Sequence, residues 1–339
     1  MTFPVITASA VGLTRNVSGR RFPHAEDAPA LEELRTEIVE VLGGDSWEHS
    51  WQVYDVESMT TVQIDHLVER GLMTPTFADC AGMGRGFAVY GEGQASLEIN
   101  GDDHIRLLGF RPGGQLAFVW SLLNRLDDRL ETVLSYGFDP RWGYLTARPK
   151  LAGSGMRAYA TLHLPALTLT GRLAGTAVEL ARLGLGLAGL WGGAGGVVQV
   201  SNLRPLGKPE TEILQQIGDI SRGIVEKERS VRKMLLRDNP IQTRDQIGRA
   251  LGTAQHAWTM SFHEAVNLIS AAQVGMELGL VEVPGMAAES AFGLMSRLQS
   301  AHIVTDHMDG RTGCLESPEI DEHRARVLRE VFAGAWVRP

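Results

Sequence analysis

Cysteine is scarce: Cys80 and Cys314 are the only two in 339 residues. Two thiols make neither a disulfide framework nor a cysteine-rich zinc site, so no metal site is expected, and they suit a reducing cytoplasm. Positive charge is also in short supply, with 32 Lys and Arg against 40 Asp and Glu and a formal net charge of −8. That balance argues against a nucleic-acid or anionic-membrane surface and leaves room only for a local basic pocket. Partners are expected among proteins and small molecules. Long apolar runs are missing too. The longest uncharged apolar stretch, LGLGLAGLWGGAGGVV at 183–198, carries seven glycines and falls short of the ~18–20 residues that span a bilayer. The start, MTFPVITASAVGLTRN, lacks a basic region followed by a sustained apolar segment, so no export is expected and the cytoplasm is the expected location. No internal repeat or low-complexity tract occurs.

What is present is a chain longer than one core usually fills, which predicts two domains or one large α/β domain with an appendage. EDAPALEELRTEIVEVL (26–42) and TVQIDHLVERGL (61–72) space their apolar residues as helices do. GFAVY, QASLEIN and DHIRLLGF, between 86 and 110, alternate at period two around G-E-G and N-G-D, which predicts an antiparallel meander. A long helix is predicted in GGQLAFVWSLLNRLDDRLETVL, strands in WGYLTAR and MRAYATLHL, and a helix in PALTLTGRLAGTAVELARLG with Pro165 at its start. Strands LAGLW and VVQVSN then flank a glycine-rich link. Helices among antiparallel strands make an α+β arrangement. From Lys208 the pattern becomes helical throughout, through a long charged helix and four more helical segments ending in EIDEHRARVLREVF. The expected division is 1–240, including a small N-terminal helical part, and an all-α domain over 241–339.

Three stretches could carry chemistry. GLWGGAGGVVQVSN (189–202) could cradle phosphate or form a plain tight turn, and it has neither the Lys nor the helix start that a phosphate loop uses. NGDDHIRLLGF places Asp102, Asp103, His104 and Arg106 at a turn entering a strand, which suits an acid/base site, a metal site or a solvated ion pair. RPKLAGSGMRA sets Arg148 and Arg157 on either side of a glycine-bearing loop, where they could clasp a polyanion or simply face water. His256 and His263 lack zinc-helix spacing and receive no role, and the methionines of the last helices suit core packing.

In order, NGDDHIR, GYLTARPKLAGSGMRAYATLHLPAL, LGLGLAGLWG, VVQVSNLRPLGKPETEI and KERSVRK resemble the ATP:guanido phosphotransferases, and most nearly their bacterial protein-arginine kinase branch. The likeness runs from ASAVGLTRN to EIDEHRARVLRE. It implies a guanidino-kinase-type antiparallel sheet flanked by helices, a helical C-terminal domain, and a chemistry in which cations hold the triphosphate and Mg²⁺ while carboxylates position a guanidinium.

The charges that this chemistry implies are only partly present. Where the family has S-x-R-x-R-x-x-R-N, this chain has Ala10 and Gly12 at the two phosphate arginines, then Arg15 and Asn16. Where it has N-E-E-D-H-x-R, the chain keeps His104 and Arg106 as nucleotide contacts and sets the shorter Asp102 at the catalytic Glu. In C-P-T-N-x-G-T-x-x-R-A, Arg148 replaces the reactive Cys and Arg157 is kept for the nucleotide. In R-G-x-Y-G-E-G-S-E-A, Ala188 replaces the Arg, and the glycine link lacks the second catalytic Glu. The resemblance thus implies a kinase fold that has lost catalysis and serves as a binding or regulatory subunit in protein quality control. Such a chain requires no cofactor. The alternative is an active protein-arginine kinase that uses Mg·ATP with Arg148 and Arg111 as substitute cations. A further alternative is a reader of phosphoarginine-tagged proteins, because the family's R-D-x-x-R-A pocket motif is matched by Ile320-Asp321-Glu322-His323-Arg324-Ala325, with Asp321 for the guanidinium and Arg324 for the phosphate. The resemblance also implies a homo-oligomer.

Overall fold

A computed structural model describes residues 4–44, 47–80, 82–286, 291–307 and 318–338. Cys314 lies outside these residues, as do positions 287–290 of one predicted helix. In chain order the first elements are β1 (Ile6–Arg15), α1 (Ala28–Leu42), β2 (Trp51–Tyr54), α2 (Thr61–Glu69), α3 (Pro75–Ala78), β3 (Gly86–Tyr90), β4 (Ala95–Ile99) and β5 (Ile105–Pro112). Next come α4 (Leu116–Glu131), β6 (Phe138–Asp139), β7 (Gly143–Tyr144), β8 (Met156–His163), α5 (Pro165–Leu169), α6 (Leu173–Arg182), β9 (Leu185–Gly189) and β10 (Val197–Asn202). The last are α7 (Glu210–Asp238), α8 (Pro240–His256), α9 (Phe262–Glu277), β11 (Val281–Glu282), α10 (Ala291–Arg297), α11 (Ser300–His307), α12 (Pro318–Phe332) and β12 (Trp336–Val337).

Eight strands form one sheet in the order β2-β3-β4-β5-β1-β8-β10-β9. The predicted meander is its β3-β4-β5 segment, in register from Gly86↔Ile99 to Tyr90↔Ala95 and from Ala95↔Gly109 to Ile99↔Ile105. β1 then pairs antiparallel with β5, Ala10 opposite Phe110, Gly12 opposite Leu108 and Thr14 opposite Arg106. The chain divides into two compact units, one of residues 8–160 with 201–218, the other of the chain up to Thr7 with 161–200 and everything from Asp219 onward.

In the first unit a core of Val56, Leu67, Leu72, Met73, Phe77, Phe87 and Val89 lies where α2 and α3 meet β3. Local signals fix these helices: Asp27 accepts from the Ala30 N–H at the start of α1, and Thr60 with Gln63 closes a capping box at the start of α2. In the second unit α8, α9 and α12 pack through Ile247, Leu251, Ile269, Ala272, Leu328 and Phe332, all buried.

Several expectations need correction. WGYLTAR is not a full strand; only Gly143–Tyr144 pairs, with Phe138–Asp139. The rest leaves the ladder because the Leu145 carbonyl accepts from Asn16 and the Ala147 N–H donates to Asp103. The helix after Pro165 is two helices, since Gly171 turns left-handed (φ +66°) and the Arg172 N–H closes on the Leu167 carbonyl, a helix-ending motif. The glycine link is no tight turn. Leu190–Gly196 winds through left-handed Trp191, Gly192, Gly193, Gly195 and Gly196. Its contacts explain that path: Gly195 N–H donates to Asn267 Oδ1 at 2.7 Å, Ser270 Oγ donates to the Gly195 carbonyl at 2.8 Å, and Trp191 lies between Phe262 and Phe292. The C-terminal helices are joined by a small β11–β12 ribbon.

Candidate functional site

In the first unit the turn 100–104, the start of β5, the segment 145–148 and the ends of β1 and β8 come together. Asn16 organises the junction. Its amide nitrogen donates to Asp103 Oδ1 (2.6 Å) and to the Leu145 carbonyl (3.0 Å), and its oxygen accepts from the His104 N–H (2.9 Å). Asp103 also accepts from the Ala147 N–H at 2.6 Å. Burial pushes the Asp103 carboxyl up, opposed by these bonds. His104 is fully buried, its Nδ1 accepting from the Val17 N–H at 3.1 Å, and burial pushes it down to about 4. The ring is therefore neutral at physiological pH and serves to hold the turn.

Asp102 stands beside this junction and is half-exposed. Its Oδ2 is 2.5 Å from Nη2 of Arg148. The two residues expected at the catalytic Glu and reactive Cys thus pair with each other. Thr76, Phe77, Glu98, Asp102, Asp103 and Arg106 enclose a space of about 10 Å³, roughly one water's worth. Glu98, opposite Arg106 on the sheet, accepts from the Thr74 N–H at 2.5 Å and its hydroxyl at 3.0 Å. Burial pushes Glu98 up to about 6 despite Arg106 and these bonds.

On β1, Ala10 and Gly12 share a sheet face with Phe110, Leu108 and Arg106, because directly paired residues in an antiparallel ladder point the same way. A Cβ on Gly12 would lie 3.3 Å from Leu108 Cδ2 and 3.9 Å from the Arg157 carbonyl oxygen. Arg106 and Arg157 are both half-buried, and the Nε of each is shielded from water without a hydrogen-bond partner. Arg157 also stacks over Tyr159 at 5.4 Å. Buried donors left open in this way suit an anion. Arg111, the substitute cation named above, instead lies over the Phe118 ring at 5.5 Å. Arg15, the motif arginine that remains, is buried: it pairs with Asp127 at 2.6 Å and stacks 3.7 Å over the Tyr144 ring.

The second unit holds Ala188, on β9, and the pair Asp321 and Arg324 on α12. Arg324 is 1% exposed. Its guanidinium donates to the Leu298 carbonyl (2.8 Å), the Met260 carbonyl (2.8 Å) and Asp321, so the cation expected to meet phosphoarginine is used internally. Its position in the Ile320-Arg324-Leu328 stripe, at helical spacing, was the sequence signal for that burial. A second buried group had no such signal. Arg232 donates to Glu228 (2.7 Å), Glu277 and the His163 carbonyl (2.9 Å), while His163 Nε2 meets Ser270 Oγ at 2.7 Å. Burial, then Arg232, holds His163 well below its ordinary value.

Residues 33–231 match the family model described as "ATP:guanido phosphotransferase, C-terminal catalytic domain", and residues 240–336 match "Protein-arginine kinase McsB C-terminal domain". The chain belongs to the protein-arginine kinase branch of the ATP:guanido phosphotransferases. A protein-arginine kinase of Halothermothrix orenii is 30% identical over 96% of this chain and 92% of its own, and one of Syntrophomonas wolfei is 32% identical over 96% and 91%. Among solved guanidino kinases, lombricine kinase superposes with TM-score 0.60 at 22% identity, covering 67% of this chain and 66% of that one. The substrate-free duplicated taurocyamine kinase of Schistosoma mansoni gives 0.58 at 23%, over 68% of this chain and 33% of that one. These two likenesses bear on the fold, an antiparallel sheet flanked by helices. Among the described residues, no helix is long and apolar enough to cross a membrane.

Proposed function

We propose that this chain is a non-catalytic protein-arginine kinase, a pseudokinase that acts as a homo-oligomeric binding or regulatory subunit in protein quality control. The observation that carries this reading is the sheet face beside Arg106, where β1 presents Ala10 and Gly12 and Leu108 fills the space over Gly12. A triphosphate there would meet Arg106 and Arg157, two cations in place of the larger set that the family chemistry implies. Each charge-assisted contact is worth roughly 1.5–3 kcal/mol, so the two missing on β1 take about 3–6 kcal/mol from triphosphate binding before non-additivity. The carboxylate side is weakened as well. Asp102 is one methylene shorter than Glu and already faces the Arg148 guanidinium. That exposed pair is worth at most about 1 kcal/mol, so it neutralises Asp102 more than it locks it. No cofactor is needed for this role.

One observation favours a second reading. The curated relatives are named protein-arginine kinases and match along nearly the whole chain. In an active enzyme Mg·ATP would rest on Arg106 and Arg157, with Asp102 released from Arg148 to orient the acceptor guanidinium. A reader of phosphoarginine is less well supported, because Arg324 is spent on carbonyls.

Labelled γ-phosphate transfer from Mg·ATP to casein and to free arginine separates the two readings. The pseudokinase reading expects no incorporation above background. Incorporation that disappears in Arg157→Ala would establish the active kinase. Light scattering at micromolar concentration should return at least a dimer mass, and a monomer would remove the oligomer from the proposal.

A further inference from the structure

Within the second unit, α5, α7, α8, α9 and the glycine link enclose a cavity of about 440 Å³, in the roughly 300–1,000 Å³ range of small-ligand sites. Its inner wall is apolar, from Pro165 and Ala166 on α5, Ile247 on α8, and Ala271 and Val274 on α9. Its rim is different. Asn239, Gln242 and Gln246, three and four residues apart at and along the start of α8, are exposed and line the opening. None of the three makes a side-chain hydrogen bond among the described residues.

Charge is present at the cavity but not on offer. Among the described residues, Arg232 is the one charged residue on its wall, 2% exposed, and its guanidinium is divided among Glu228, Glu277 and the His163 carbonyl. A charged ligand would lose its hydration there and gain no partner, which is prohibitive. A neutral ligand with an apolar body meets no such cost. Each rim carboxamide carries both donors and an acceptor, the complement of a peptide backbone with its alternating N–H and C=O groups.

We infer that this cavity binds a short uncharged peptide segment, with one apolar side chain seated between α8 and α9 and the flanking backbone amides bonded to the carboxamide rim of α8. The bound segment also meets the glycine link, because Gly193, Gly195 and Gly196 form part of the same wall. Ser270, another wall residue, accepts from His163 and donates to the Gly195 carbonyl, so the link stands beside the cavity in the conformation described above without help from a ligand. The site does not depend on whether the chain phosphorylates arginine.

The test is methyl NMR on the full chain, titrated with the blocked peptide N-acetyl-Ala-Leu-Gln-Ala-amide and, in parallel, with its Leu→Asp counterpart. The Leu peptide should shift the Ile247 and Val274 methyl signals saturably at millimolar concentration or below, and the Asp peptide should not. Gln242→Ala combined with Gln246→Ala should weaken the Leu peptide by about tenfold or more, the effect of one to two lost hydrogen bonds. Both side chains are exposed, so the melting temperature should be unchanged. Absence of a saturable shift, equal response to the Asp peptide, or undiminished affinity in the double variant would each overturn the assignment.

Discussion

Returning arginine to positions 10 and 12 tests the reasoning about the sheet face directly. Ala10 is half-buried opposite Phe110, and Gly12 is buried but has an ordinary backbone conformation, so the backbone of neither position forbids a Cβ. At Gly12 the new Cβ comes within 3.3 Å of Leu108 Cδ2, the end of a flexible side chain that can rotate by the few tenths of an ångström needed. Two restored charge-assisted contacts supply about 3–6 kcal/mol before non-additivity. At 1.4 kcal/mol per decade, Ala10→Arg with Gly12→Arg should tighten Mg·ATP at least about a hundredfold, and Ala10→Arg alone roughly tenfold. Calorimetry on the wild type and both variants measures this, with melting curves to show that the fold is kept. A double variant that folds normally but binds Mg·ATP no better than the wild type would refute the argument. So would a wild type that already binds in the micromolar range, because the missing cations would then be irrelevant.

Arg148→Ala should leave stability within about 1 kcal/mol, as for other exposed pairs, and strengthen binding of free guanidinium ion at Asp102, read by calorimetry; unchanged binding would show that the pair does not compete. Glu98 titrates near 6 when folded against an ordinary 4.5, so between these values the native state holds the extra proton and stability falls as pH rises. Glu98→Gln should therefore gain about 2 kcal/mol over the wild type above pH 6 and nothing below pH 4.5, measured by urea unfolding. His104 acts with the opposite sign: it is held near 4 when folded against an ordinary 6.5, and its contribution is lost as pH falls through that window. Arg324→Ala should lower the melting temperature through the lost carbonyl contacts, at a cost on the order of 2–3 kcal/mol; a variant that melts like the wild type but loses phosphoarginine binding would revive the reader.

Legibility followed the range of the interactions. The β3-β4-β5 meander was readable because its alternation and its turns are local, and the break between α7 and α8 was placed within a few residues at Asp238-Asn239-Pro240, whereas the break at Gly171 was missed. β1 escaped notice, since ITASAVGLTR is mostly small residues, buried on both faces by neighbours distant in sequence. Residues 145–148 looked like a strand until Asn16 and Asp103, more than forty residues away, took their backbone groups. The site followed the same rule. Motif order brought Asp102, Arg106, Arg148 and Arg157 into view, but the Asp102–Arg148 pairing, the Thr74 clasp on Glu98 and the His163–Arg232–Glu277 group depend on contacts that no local pattern encodes. Asp321 and Arg324 were read as a ligand pair from a motif, while the burial of Arg324 follows from its place in the Ile320-Arg324-Leu328 stripe.

β1 carries its residues on two faces that answer to different demands. Val11, Leu13 and Arg15 are all buried, and Arg15 is anchored by Asp127 and the Tyr144 ring. Ala10, Gly12 and Thr14 point the other way, toward the face that holds Arg106. A period of two therefore lets one strand exchange its cations for small side chains at every second position while the residues between them keep the sheet intact. Under the pseudokinase reading proposed above, such a strand would let a chain drift out of catalysis while the residues between the exchanged positions keep its scaffold.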